Sequence, residues 1–84
     1  MSNLRVQFGR RLKALRIERE MTQEDLADAA DVSTVFISSI ERGKYAPSFD
    51  SLEKLARALD VSVKDLFEFS DVGVPEGKRI RFRR

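Results

Sequence analysis

The apolar positions of this chain fall into five short groups at helical spacing, each opened by a residue suited to capping a helix. Leu4, Phe8, Leu12 and Leu15 recur at intervals of four, four and three, which predicts an amphipathic helix over about residues 3–19. Thr22 followed by Asp25 is an acidic form of the capping box and starts a second helix at Gln23. Leu26, Ala27 and Ala30 form its inner side, and the pattern breaks at Asp31-Val32-Ser33. Ser33 is a further N-cap, and Gly43 stands where a helix end needs a left-handed residue, so a third helix is predicted over residues 34–42. Ser48 caps a fourth helix with Leu52, Leu55, Ala56 and Leu59 inside, and Pro47 lies just ahead, where a missing N–H costs little. Ser62 with Asp65 opens a fifth, from Val63 to about Phe69. Five helices without a long loop or an internal repeat predict an all-α, compact domain rich in local contacts.

The third helix is the informative one. Turned at 100° per residue, it places Ile37 and Ile40 on a buried side flanked by Ser33 and Phe36. The opposite side collects Val35, Ser38, Ser39 and Arg42, with Thr34 at its edge. Val35 is almost diametrically opposed to the isoleucines, where it would face water and gain nothing from burial. One exposed valine is ordinary by itself. Among Thr, Ser and Arg it also suits a DNA major groove, where thymine presents a methyl group. Residues 22–44 thus have the layout of a helix-turn-helix.

Residues 12–67 resemble the Cro/CI-type (XRE-like) helix-turn-helix domain of bacterial and phage transcription regulators. The matching segments are LKALRIEREMTQEDLADAADVS, ISSIERGKYAPS and LEKLARALDVSVKDLF, in order and at the family's spacing. The resemblance implies a five-helix, lambda-repressor-like DNA-binding domain over residues 1–69. It matches Thr34, Val35, Ser38 and Ser39 to base-reading positions. It implies a phosphate contact by Gln23, which as the first residue of the second helix also lies beside free N–H groups. Arg42, Lys44 and Tyr45 become candidate contacts to the DNA backbone, an ordinary polar loop being the other reading of Lys44 and Tyr45. Glu41 ends its helix where the dipole disfavours an anion. In similar domains a first-helix arginine partners it, and Arg16 occupies that position, with a phosphate contact as its secondary role. Some regulators of this kind use acidic residues on the surface that Glu24 and Asp28 occupy to touch RNA polymerase. The dipole alone also accounts for acids near a helix start.

Charge refines this picture. Residues 78–84 hold five of the 16 basic residues and none of the 14 acidic ones, so residues 1–77 carry 11 basic against 14 acidic groups. Arg5, Arg10, Arg11, Lys13, Arg16 and Arg19 crowd the first helix. An uneven positive distribution is compatible with DNA binding. The 84 residues make one domain, burying about 60% of the unfolded surface. Without cysteine there is no disulfide. No apolar run approaches a membrane span and no signal-peptide pattern opens the chain, so a cytoplasmic location is expected. With no His and no Cys, and too little chain for a deep pocket, enzymatic activity is not expected, nor is a cofactor, metal or small-molecule ligand.

Residues 70–84 follow no family pattern. Gly73, Pro75 and Gly77 break any helix, and Arg79-Ile80-Arg81-Phe82-Arg83 alternates with period two. This basic tail is read as disordered in the free protein, as a strand pairing across a dimer, or as an arm in a DNA groove.

Together these features predict a sequence-specific double-stranded DNA-binding transcriptional regulator, a repressor and a candidate activator. One recognition helix reads few base pairs, so a homodimer on a near-palindromic operator is expected, with half-sites about 34 Å apart. Phe67 and Phe69 are the interface candidates, core closure being their other use. A second class stays open: a protein-interaction module, such as an antitoxin or a bridging cofactor, which the acidic balance of residues 1–77 favours.

Overall fold

Each helix starts where a side-chain oxygen accepts from a backbone N–H three residues on. Asn3, Thr22, Ser33, Ser48 and Ser62 make that contact with Val6, Asp25, Phe36, Ser51 and Asp65. In the computed structural model, which describes residues 3–69, the helices are α1 (Leu4–Glu18), α2 (Gln23–Ala30), α3 (Thr34–Glu41), α4 (Phe49–Leu59) and α5 (Val63–Leu66). The two capping boxes are reciprocal: Thr22 N–H donates to Asp25 at 2.9 Å and Ser62 N–H to Asp65 at 3.2 Å.

Four of the five helix ends follow one rule. Glu20, Asp31, Gly43 and Asp60 all have positive φ, between 57° and 75°. Behind each, two backbone bonds close the Schellman pattern; after α3, Gly43 N–H donates to Ile40 C=O and Lys44 N–H to Ser39 C=O. The residue after the left-handed position is Met21, Val32 or Val61 in the other three, and each packs partly buried against the core. Backbone closure and hydrophobic contact therefore stop those helices together.

Two boundaries depart from the sequence reading. The third helix ends at Glu41, with Arg42 as its cap. The fifth ends at Leu66 and not Phe69, because Phe67 and Glu68 N–H turn back to carbonyls only three residues behind, tightening the chain out of the α-helix. Leu4, read as part of the inner stripe, is 58% exposed, lying in the first turn of α1 ahead of the buried run that begins at Phe8. The expectations for residues 70–84 lie outside the described residues.

Leu12, Leu26, Ile37, Ile40, Leu55 and Leu59 are fully buried and centre a core to which every helix contributes. α3 packs against both α1 and α2, while α4 packs against α2 and α5. Arg11 ties α5 down by donating from Nε to the Asp65 carbonyl at 2.9 Å. No described helix is long and apolar enough to cross a membrane.

α1 meets the end of α3 at Gly9, where a Cβ would strike the Ile40 carbonyl oxygen and lie 2.8 Å from that of Glu41. Backbone cannot move aside as a side-chain tip can. Gly9→Ala is therefore expected to lower stability by about 2 kcal/mol in urea titration, although alanine is the better helix former. A stabilised variant would show that α1 and α3 are not held so closely.

Candidate nucleic-acid interface

α3 is anchored from behind. Ile37 and Ile40 are completely buried, and Phe36 is half-buried with its ring edge-on to Tyr45 at 5.3 Å. The opposite side presents Thr34, Val35 and Arg42 as exposed residues, with Ser38 and Ser39 half-buried between them. Val35 is 73% exposed. Gly43 then turns the chain so that Lys44 and Tyr45, both exposed, follow directly beside this face. The residues read as base contacts thus share one outward surface, with three of the candidate backbone contacts at its end.

Behind that surface lies an ionic cluster. The Glu41 carboxylate, with a side chain only 3% exposed, accepts from Arg16 Nε at 2.7 Å and Arg16 Nη2 at 3.1 Å. It also accepts from Gln23 Nε2 at 3.0 Å. Arg16 Nη1 reaches the Met21 carbonyl at 2.7 Å, across the α1–α2 turn. Three guanidinium N–H groups are therefore used inside the protein by a side chain 11% exposed. That leaves little of Arg16 to meet a phosphate and makes it first a scaffold residue. Gln23, expected as a phosphate contact, is half-buried and has one amide N–H engaged by Glu41. Its bond to Glu41, 18 residues away, was not foreseen; the signal was a polar residue at the start of one helix facing an acid at the end of the next.

The other named residues lie elsewhere. Glu24 and Asp28 are exposed on α2. Phe67 packs its ring 5.1 Å from Phe8 and 6.1 Å from Phe69, so both residues help close the core. Phe67 nonetheless stays 37% exposed and joins Leu4, Tyr45, Pro47 and Phe49 in an apolar groove of about 210 Å³. Phe49, missed in the sequence, is 86% exposed there. An aromatic directly after the Ser48 cap, three residues before Leu52 and seven before Ala56, was its mark. Among the described residues no cluster of His, Cys, Asp or Glu is placed to hold a metal ion.

Comparison with known proteins places this geometry. The sequence profile of the helix-turn-helix family matches residues 12–66. The chain is 39% identical over 79 residues to the control protein C.BamHI of Bacillus amyloliquefaciens, covering 93% of this chain and 98% of that protein. It is 46% identical over 55 residues to the immunity repressor protein of Bacillus phage phi105, covering 66% of this chain but only 38% of that longer protein. The crystal structure of the restriction-modification controller protein C.AhdI from Aeromonas hydrophila superposes with a TM-score of 0.74 at 36% identity. That match covers 75% of this chain and 96% of that one.

Removing one partner of a buried ion pair leaves the other charge desolvated and alone. Glu41→Ala and Arg16→Ala are each expected to destabilise by about 3 kcal/mol or more. The double variant should fall well short of the sum, giving a coupling above about 1 kcal/mol in a denaturation cycle. Additive losses would show that the two charges do not depend on each other.

Proposed function

The chain belongs to the helix-turn-helix family, and from that membership and the exposed face of α3 we propose a sequence-specific double-stranded DNA-binding transcriptional regulator. The observation that carries this reading is the side of α3 opposite Ile37 and Ile40: short polar side chains and an exposed valine on a rigidly backed helix. An α-helix fits the major groove, and Thr34, Val35, Ser38 and Ser39 are the side chains that meet base edges. Arg42, Lys44, Tyr45 and the remaining N–H of Gln23 contact phosphates and set the register. None of the four base readers makes the bidentate pairing of Arg with guanine or Gln with adenine, so part of the specificity comes from DNA shape and deformability. The relatives named as a control protein and an immunity repressor support a regulatory role.

The regulator acts as a homodimer on a near-palindromic operator, since one α3 spans too few base pairs for useful selectivity. The groove of Leu4, Phe49 and Phe67, continuous with Phe69, supplies an exposed apolar surface for that contact. Contact with RNA polymerase through Glu24 and Asp28 stays outside this reading, because no feature of their surroundings distinguishes them from ordinary solvated acids. The competing reading is a protein-interaction module, an antitoxin or bridging cofactor.

Charge reversal separates the two. Arg42→Glu and Lys44→Glu should each weaken operator binding more than tenfold at about 0.15 M salt and flatten the dependence of log K on log salt by about one unit per half-site, about two for the dimer. Unchanged DNA affinity would move the function to a protein partner. Phe49→Glu, a change at an exposed site, is expected to shift the protein towards monomer in sedimentation while its helical circular dichroism is kept and its melting temperature stops depending on protein concentration. A persistent dimer would place the interface elsewhere.

A further inference from the structure

The DNA-facing side of α3 carries one aliphatic side chain, and its surroundings are suited to a single chemical group. Val35 is 73% exposed, while Val63, the next most exposed described valine, is 40% exposed. Its neighbours on the face, Thr34, Ser38 and Ser39, are all short, and the two serines are half-buried. Among those four positions no long polar side chain stands between Val35 and a base edge, so the helix can approach until the valine methyls touch the groove floor. There the base pairs offer hydrogen-bonding atoms and one apolar group, the methyl at C5 of thymine. Hydrogen-bonding atoms give valine nothing; the methyl gives it burial.

We propose that Val35 reads the 5-methyl group of a pyrimidine, so that a thymine in each half-site is recognised by its methyl and a cytosine placed there is bound better when methylated at C5. The inference rests on the DNA-binding reading above and names the group that this face takes. 5-Methylcytosine carries the same methyl at the same ring position as thymine, with an amino group in place of the O4 acceptor. Val35 cannot sense that exchange by hydrogen bonding, so the methyl effect is common to both bases. Cytosine methylation at this step therefore tunes operator affinity. The rival reader is the methyl of Thr34, which its hydroxyl can turn either way.

The test starts from a site selected out of randomised duplex DNA, with each thymine replaced in turn by deoxyuridine and binding followed by anisotropy. One position per half-site should lose about fourfold with the wild-type protein, the equivalent of one buried methyl, or about 15-fold when both half-sites are changed. Val35→Ala should show less than twofold at the same position, whereas Thr34→Ser should keep the wild-type response. With cytosine at that position, 5-methylation should restore about fourfold per half-site for the wild type alone. A selected site with no uracil-sensitive position, or one whose sensitivity survives Val35→Ala, overturns this inference and leaves the regulator reading standing. A chain that selects no site overturns both.

Discussion

A carboxylate at the end of α3 ties that helix to the two before it. Glu41 closes α3 and accepts N–H groups from α1 through Arg16 and from the first residue of α2 through Gln23. Arg16 extends the network to the α1–α2 turn at Met21. Three segments are therefore indexed to one buried group. Desolvating such a charge costs several kcal/mol, and the cost is offset only because its acceptors are filled by short, well-placed donors. No buried side-chain nitrogen or oxygen among the described residues lacks a partner. Apolar side chains of similar volume could hold the helices together as firmly, so what Glu41 adds is a fixed set of directional bonds. Direction matters for the proposed function, because a helix face that is to read bases must hold its register with the groove.

The close approach at Gly9 works with this network. Glu41 can reach Arg16 only if α1 and the end of α3 come together, and the absent side chain at Gly9 permits that. The short turns do the rest. Asp31 in the left-handed region and Ser33 as cap leave three residues between α2 and α3. Val32, packed against the core between them, closes the end of α2 from the inside. The result is a closely joined pair of helices whose outer face carries only light contacts, Arg42 Nε to the Ser38 carbonyl at 3.4 Å and Tyr45 edge-on to Phe36.

Much of this was legible in the sequence because much of it is local. A cap acts three residues away, and Thr22, Ser33, Ser48 and Ser62 identified their helices correctly. Ile37 and Ile40 fixed the buried side of α3 by spacing alone, and that placed Val35 outward as observed. Asn3 passed unnoticed as a cap, and so did the left-handed endings at Glu20, Asp31 and Asp60, although Met21, Val32 and Val61 mark them in the sequence; only Gly43 was foreseen. What spacing could not supply was contact between distant segments. The pairing of Arg16 with Glu41 came from family resemblance, and the bonds of Gln23 to Glu41 and Arg11 to Asp65 were missed. Leu4 and Phe49 show the limit of periodicity. It reports which side of a helix is apolar, and it is silent on whether a neighbouring element reaches far enough along to cover that side. Both lie in the first turn of their helices, α1 and α4, and both remain in the open groove beside Phe67.

The proposed function depends on the face of α3 reading base sequence in duplex DNA. The most direct measurement is the affinity for a duplex selected from a random pool against a scramble of the same composition, both at about 0.15 M salt. A two-fold symmetric winner bound at least about 10³ more tightly than the scramble is the predicted result. Equal, weak affinity for both, reflecting only attraction to phosphates, would contradict it.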